Sequence, residues 1–217
     1  MEGQISVKTI YHWIYEGRIA QGNLTLLRQK GKRRKPHETR GQLNVNRTIH
    51  DRPGDVKTRE TFGNWEADTV VSGRGKSKAC LATLVERKTR MYIAIPMVDR
   101  TSESMKIALE QAISQYPLGT FLSFTVDRGK EFACHNYVES TLNIPMYFAD
   151  PYSSWQRGSN ENANGLLREF FSKGSDLGEI TSEELDHSLS LIMNRPRKCL
   201  NWKTPREVFM EEVSHLA

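Results

Sequence analysis

Cysteine is scarce in this chain of 217 residues, and long apolar runs are missing. The three cysteines, Cys80, Cys134 and Cys199, lie far apart and form no C-x-x-C pair, so neither a zinc site nor a disulfide framework is expected. No stretch approaches the roughly 18 consecutive apolar residues of a membrane-spanning helix. The first residues, Met1 to Gln4, lack the basic end and apolar centre of a signal peptide. We therefore expect a cytoplasmic protein with reduced thiols and no membrane segment.

Acidic residues are few in the first part of the chain. Residues 1–60 hold 13 Lys and Arg against 6 Asp and Glu, whereas the remainder holds 18 against 20. The densest basic run is Arg-Gln-Lys-Gly-Lys-Arg-Arg-Lys at 28–35. A basic arm on a nearly neutral body is typical of proteins that bind a polyanion, although a solvated linker can have the same composition. The charge distribution therefore favours nucleic acid as a partner.

The periodicity of the sequence divides the chain into three parts. Ser6 stands before apolar residues at helical spacing, which predicts one short capped helix that is too small to fold alone. The next part is rich in charge, Gly and Pro and has no sustained period, as linkers do. The predicted parts are a helical remnant at 1–27, a basic linker at 28–60 and a main domain at 61–217.

The main domain is predicted to be of the α/β class. Its strand-like runs are Asn64 to Ser72, Ala79 to Glu86, Met91 to Val98, Phe121 to Val126 and Pro145 to Ala149. Its helix-like runs are Ser102 to Tyr116, Glu131 to Leu142, Glu161 to Phe171, Ser182 to Met193 and Pro205 to Val213. The order β-β-β-α-β-α-β-α predicts a mixed five-stranded sheet with helices on its faces.

Three acids arise from three different elements of this predicted domain. Asp68 lies within the first strand, Asp127 directly follows the fourth, and Glu161 opens a helix after 158–160, whose side chains are expected to cap it. Carboxylates suit Mg²⁺ or Mn²⁺, and cleavage of a phosphodiester by two metal ions needs anionic ligands that hold the ions about 3.5–4 Å apart. Spacing alone leaves other triads open among 26 acids, since Glu66 lies on the same strand face as Asp68.

Two further groups of residues are candidate DNA contacts. One is a predicted basic hairpin with Arg74, Lys76 and Lys78. The other is an aromatic and polar stretch just before Glu161, which could stack on or hydrogen-bond to unpaired bases, and which contains Trp155, Gln156 and Arg157. An ordinary packed loop is the alternative for this second group.

Three segments of the sequence together resemble one family of enzymes. They are G-N-W-E-A-D-T-V at 63–70, V-D-R-G-K-E-F at 126–132 and Y-S-S-W-Q-R-G-S-N-E-N-A-N-G-L-L-R-E-F-F at 152–171. The segments resemble the integrase core of insertion sequence 30 family transposases, and the resemblance runs from about Ile5 to Leu216. It implies a ribonuclease H-like fold.

The resemblance also implies the roles of individual residues. The family's DDE triad has 33 residues between its second and third members, and 33 residues separate Asp127 from Glu161, with Asp68 as the first member. The implied cofactor is a pair of Mg²⁺ or Mn²⁺ ions. The family also carries a basic residue seven positions after the glutamate, here Arg168, which is expected to contact DNA phosphate.

The implied activity is the cleavage and strand transfer of an insertion sequence. The enzyme would act as a homo-oligomer on double-stranded DNA at the nucleoid of a bacterium. Family members have further helix-turn-helix material before the segment I-S-V-K-T-I-Y-H-W-I-Y at 5–15, so we expect an N-terminally shortened copy. Its first helix would correspond to the recognition helix, with Lys8 and His12 facing the major groove.

Two alternatives to an active transposase remain open at this stage. A catalytically idle short form could bind DNA or a full-length transposase as a competitor, and such binding would survive Asp127→Asn. A general ribonuclease H-like nuclease would cleave RNA–DNA hybrids without joining DNA.

Overall fold

The computed structural model describes residues 5–27 and 43–216. The chain divides into two compact units, Met1–Gly41 and Gln42–Ala217. The basic run predicted at 28–35, and the part of the predicted linker up to residue 42, lie outside the described residues. Within the described ranges, no helix is long and apolar enough to cross a membrane.

The first unit contains the short helix that the sequence predicts. Helix α1 spans Val7–Tyr15, and the side chain of Ser6 caps it by accepting a hydrogen bond of 3.1 Å from the backbone N–H of Thr9. Two short 3₁₀ turns follow at Ala20–Gly22 and Leu24–Leu26. No residue of α1 is buried, so this helix has no packed core of its own.

The second unit is built on a mixed five-stranded sheet. Its strands are β1 (Asn64–Val71), β2 (Cys80–Glu86), β3 (Tyr92–Met97), β4 (Ser123–Val126) and β5 (Met146–Phe148). The spatial order is β3-β2-β1-β4-β5, with β1, β2 and β3 antiparallel and with β4 and β5 parallel to β1. The predicted mixed five-stranded sheet is therefore confirmed, and β1 is its central strand.

Helices cover both faces of the sheet. They are α2 (Asp55–Thr58), α3 (Ser102–Ser114), α4 (His135–Thr141), α5 (Gly158–Phe170), α6 (Ser182–Met193) and α7 (Pro205–Ser214). Trp65 and Ala67 of β1 pack into the core that includes residues of α3, α4 and α7, whereas Val70 packs with residues of α5 and α6. Because side chains alternate along a strand, Asp68 lies on the α5 side.

Two predicted helices differ in detail from the structure. The segment predicted as one helix from Glu131 to Leu142 is a 3₁₀ turn, Lys130–Cys134, followed by α4. Helix α5 begins at Gly158, three residues before the predicted start, and no side chain caps it. The expected cap by the side chains of 158–160 is wrong because these residues already form the first turn, where Ser159 and Asn160 are buried.

The second part of the predicted linker also differs from its sequence prediction. Residues 43–60 belong to the compact unit that carries the sheet. Thr48 forms a parallel bridge with Phe148 of the edge strand β5, and Ile49 and Val56 are buried. Ile49 and Val56 are isolated apolar residues that give no periodic signal in the sequence, yet both are buried in the fold. A linker prediction from composition therefore missed these contacts.

Candidate active site

The carboxylates of Asp68 and Asp127 both pair with the guanidinium of Arg157. Asp68 lies on β1, and Asp127 directly follows β4, the parallel neighbour of β1. The guanidinium of Arg157 bridges them, with Nη1 3.3 Å from Oδ1 of Asp68 and Nη2 3.3 Å from Oδ2 of Asp127. Two of the three acids named from the sequence thus meet at the centre of the sheet, and Arg157 joins them.

The surroundings of Asp68 raise the pKa of its carboxyl group. Burial raises the pKa of Asp68, and the nearby charge of Asp127 adds to this, while Arg157 and a hydrogen bond from the backbone N–H of Thr69 oppose it. The Asn164 side chain of α5 also donates to Oδ2 of Asp68 at 3.2 Å. A carboxylate withdrawn from water beside a second one needs positive charge. Arg157 supplies that charge here.

Asp127 lies in a tight turn, and a fourth acid, Glu131, follows it in the sequence. Its Oδ1 accepts a hydrogen bond of 2.8 Å from the backbone N–H of Gly129. Glu131 is 2% exposed and accepts hydrogen bonds from Nε of Arg100 at 2.7 Å and from the hydroxyl of Thr69 at 3.2 Å. Glu131 is therefore paired with Arg100, and it adds negative charge beside the two aspartates. The sequence reasoning did not single it out.

Glu161 is exposed in the first turn of α5. It lies three residues before Asn164, so both side chains leave the same face of the helix, and Asn164 already touches Asp68. Within the described residues, no group of three or more His, Cys, Asp and Glu side chains is arranged to hold a metal ion. The structure thus brings two acids together and places the third on the adjoining helix face.

The donor set at this site fits a divalent cation. Carboxylate oxygens are the ligands that Mg²⁺ and Mn²⁺ prefer, and two carboxylates here lie close enough to share one guanidinium. Metal ions and guanidinium groups compete for the same negative charge. In this structure Arg157 supplies the positive charge that these two carboxylates require.

A buried ion pair fixes the position of α5 against β1. Glu66 is fully buried and pairs with Arg87, which is 5% exposed. Its Oε2 also accepts a hydrogen bond of 3.0 Å from the backbone N–H of Asn160, in the first turn of α5. Because Glu66 lies on the same strand face as Asp68, the sequence left open a triad that includes Glu66. In the structure it supports the helix that carries Glu161.

The predicted DNA contacts near the chain start and in the basic loop are exposed. Lys8 and His12 lie on the surface of α1, where Nε2 of His12 is 2.8 Å from the carboxylate of Glu16. Arg74, Lys76 and Lys78 extend from a loop between β1 and β2 that is held by a hydrogen bond of 2.8 Å from Gly73 N–H to the Ser175 carbonyl. Their contact with DNA stays a prediction.

The residues around α5 have more specific local roles. Trp155 is 72% exposed. Gln156 bonds to Asp150 through both ends of its amide, at 2.8 and 2.9 Å, so its side chain holds its own loop together. Arg168 donates to the backbone carbonyl of Val71 at 2.7 Å and to the Ser172 carbonyl at 3.1 Å, which fastens the end of α5 to β1. The expected contact of Arg168 with DNA phosphate also stays a prediction.

Known proteins resemble this chain in sequence over nearly its whole length. The family model described as Integrase core domain matches residues 59–154. The transposase for insertion sequence element IS1086 of Cupriavidus metallidurans is 35% identical over 97% of this chain and 64% of its own length. Transposase InsI for insertion sequence element IS30A of Escherichia coli is 38% identical, over 97% and 57%, and the transposase for IS4351 of Bacteroides fragilis is 36% identical, over 97% and 65%. The chain thus spans between 57% and 65% of the length of these relatives.

Solved structures resemble this chain in fold. The catalytic core domain of BIV integrase superposes with a TM-score of 0.53 at 22% identity, over 70% of this chain and 96% of that one. The HTLV-2 integrase catalytic core domain in complex with magnesium has a TM-score of 0.52 at 21% identity, over 67% and 95%. These likenesses confirm the ribonuclease H-like fold that the sequence predicts. The relatives above are transposases of insertion sequences, and this chain is similar to them over 97% of its own length.

Proposed function

We propose that this chain cleaves and joins DNA strands with divalent metal ions bound by Asp68, Asp127 and Glu161. The relatives that it matches are transposases, but it spans only part of their length, so the activity of this chain is an inference. The observation that carries the proposal is the convergence of Asp68 and Asp127 on Arg157 beside the first turn of α5. Magnesium in the HTLV-2 integrase core domain supports the choice of cation.

Each acid has a distinct task in this proposal. Asp68 on β1 and Asp127 directly after β4 would hold the cations, and Glu161 on the exposed face of α5 would complete the set. When bound, two divalent cations lower the pKa of the attacking hydroxyl and stabilise the leaving oxygen. Water attack on a phosphodiester leaves a 5′-phosphate and a 3′-hydroxyl. That hydroxyl then attacks a phosphodiester of the target, forms a new bond to its phosphorus and releases the 3′-hydroxyl of the target strand.

Arg157 acts in this proposal as the counter-ion of the metal-free site. Its guanidinium neutralises Asp68 and Asp127 in the absence of metal, and bound cations would compete with it for the same two carboxylates. A released guanidinium with five N–H donors is suited to a phosphate group of the substrate. Arg157 thereby keeps two crowded carboxylates compatible with folding before the metal binds.

The proposed partners follow from the proposed reaction. The substrates are double-stranded element ends and a double-stranded target, and joining two ends calls for a homo-oligomer. A chain that resembles this one in fold comes from a simian T-cell lymphotropic virus intasome, which supports such an assembly. The proposal places the protein at the bacterial nucleoid.

The activity is tested by nicking and joining of labelled DNA that carries candidate element ends, with Mg²⁺ or Mn²⁺. Products are expected from the wild type and are expected to vanish in Asp68→Asn, Asp127→Asn and Glu161→Gln. Glu169→Gln is the matched control, because Glu169 is an exposed acid on the same helix and pairs with Arg195. DNA binding without products from the wild type would instead favour the idle competitor.

Metal binding is tested separately by calorimetric titration of Mn²⁺ without DNA. Asp68→Asn and Asp127→Asn are expected to weaken binding, whereas Arg157→Gln is expected to tighten it about tenfold, or about 1.4 kcal/mol, because a competing cation is removed. Unchanged or weaker binding in Arg157→Gln would contradict the role given to Arg157. Far-UV circular dichroism of each variant controls for folding.

A further inference from the structure

A cluster of arginines lies at the start of α5. Arg59, Arg90 and Arg197 line a concavity of about 260 Å³, together with Gly158 and Ser159. We call these three residues the arginine cluster. Arg59 ends α2, Arg90 lies in the turn between β2 and β3, and Arg197 follows α6. Three distant parts of the sequence therefore bring positive charge to one place.

The arginine cluster has unbalanced charge. Over the described residues, no carboxylate lies within ion-pair distance of Arg59, Arg90 or Arg197. Burial lowers the pKa of Arg59 and of Arg197, and the positive charge of Arg90 lowers both further. Glu66, whose negative charge raises the pKa of Arg59, is already paired with the buried Arg87. Mutual repulsion of this kind is relieved by an anion.

One observation points to a ligand in the concavity. The Nε atom of Arg197 is buried and has no hydrogen-bond partner among the described residues. A buried donor without a partner costs free energy, and an acceptor atom of a ligand would recover it. The positive φ angles of Arg59 and Arg90, 64° and 63°, belong to a helix end and a tight turn, and they only set where the two side chains start.

The start of α5 contributes to the same concavity. Gly158 and Ser159 are its first residues, where backbone N–H groups lack helical partners; Arg157 before them provides no cap, and Glu66 accepts from the N–H of the next residue, Asn160. The positive end of the helix dipole adds to the charge of the arginines. Nη1 of Arg90 donates to the hydroxyl of Ser159 at 3.1 Å, which fixes the guanidinium at the helix start. The concavity therefore offers fixed N–H donors and concentrated positive charge.

We propose that the arginine cluster binds one backbone phosphate of the DNA strand that enters the carboxylate site, an inference that rests on the proposed function. The ligand chemistry is a phosphate oxyanion, which guanidinium groups bind in a bidentate way. Glu161 lies in the same first turn as Ser159. A phosphate held at the cluster fixes the strand next to the acids that would act on it.

The test measures DNA binding without metal, by fluorescence anisotropy of labelled duplexes in EDTA over a series of salt concentrations. The triple variant Arg59→Gln/Arg90→Gln/Arg197→Gln is expected to bind more weakly, equally for unrelated sequences. Its salt dependence should fall by about 0.9 in the slope of log K against log salt, the value for one phosphate. Arg195→Gln is the matched control, because Arg195 lies two residues from Arg197 and pairs with Glu169.

Each other outcome overturns the proposal in a distinct way. An unchanged slope in the triple variant shows that no phosphate is bound there, and a loss of about 2.7 shows three separate contacts instead of one. An equal loss in Arg195→Gln shows general surface electrostatics. Inorganic phosphate that binds the wild type and not the triple variant, with unchanged DNA binding, assigns the cluster to a free anion.

Two controls keep the result independent of folding and of catalysis. A triple Arg→Lys variant keeps the charge and is expected to retain the salt slope, whereas a folding defect would affect both triple variants. Mn²⁺ titration of the Gln variant is expected to match the wild type, because the paired aspartates are unchanged. Failure of strand cleavage by the wild type, with a reduced slope in the Gln variant, would refute the proposed function and leave the phosphate site standing.

Discussion

Removal of the buried negative charge at Glu66 is expected to destabilise the second unit strongly. Glu66→Gln preserves the shape of the side chain and its ability to accept a hydrogen bond from Asn160, so it isolates the effect of charge. Arg87 then remains as an unpaired cation with only 5% of its surface exposed. Removal of one partner from a buried pair costs about 3–5 kcal/mol. That cost is a large share of the roughly 5–15 kcal/mol by which folded domains are stable.

Urea unfolding followed by tryptophan fluorescence measures this loss. Trp65 is fully buried in the core, so its emission reports on unfolding of the sheet. With an m-value of about 2 kcal/mol per molar urea, the midpoint is expected to fall by about 1.5–2.5 M. The double variant Glu66→Gln/Arg87→Met is expected to recover a large part of the loss, because it leaves no unpaired charge.

The matched control for this experiment is an exposed ion pair. Arg195 and Glu169 lie 3.4 Å apart, and both side chains are about half exposed. Glu169→Gln is therefore expected to cost less than about 1 kcal/mol. If Glu66→Gln costs no more than Glu169→Gln, the buried pair does not fix α5 against β1, and the support that we assign to Glu66 is refuted.

Two further predictions concern the thiols and the basic loop. Cys199 is exposed, whereas burial raises the pKa of both Cys80 and Cys134 to about 11, so one equivalent of Ellman's reagent should react rapidly at pH 8 and three after unfolding. A second fast thiol would contradict this. A Cβ at Gly73 would lie 2.5 Å from the backbone oxygen of Gly174. Gly73→Ala should therefore lower the free energy of unfolding by about 1–3 kcal/mol and speed proteolysis at 72–79. Gly165→Ala, which meets open space in α5, is the control and should cost nothing.

The sequence was sufficient to predict the fold because its strands carry strong local patterns. The runs that became β1, β2 and β3 are rich in β-branched and apolar residues, and each observed strand lies inside its predicted run. The start of α5 was placed three residues late, because its first residues, Gly-Ser-Asn, are typical of caps and turns. The hydrogen bond from the backbone N–H of Asn160 to the buried Glu66 outweighs that local preference, so these residues are helical.

The candidate site was predictable only where a motif marked it. Asp68 and Asp127 were identified through the resemblance to a family, and the structure brings them together. Glu131 and the arginine cluster carry no local signal. Their positions depend on contacts between segments far apart in the sequence, as between Arg90 and Ser159. Such contacts follow from the packing of the sheet and cannot be read from spacing.

Helix α5 is fastened to β1 at its beginning, middle and end. Asn160 binds Glu66, Asn164 binds Asp68, and Arg168 binds the carbonyl of Val71. A helix tied at three levels cannot tilt or slide along the strand without breaking at least one of these bonds. Adjustment of the site to a cation or a strand of DNA therefore falls to rotation of individual side chains. For an exposed side chain such as Glu161 that rotation takes picoseconds to nanoseconds, far less than a rearrangement of packed helices.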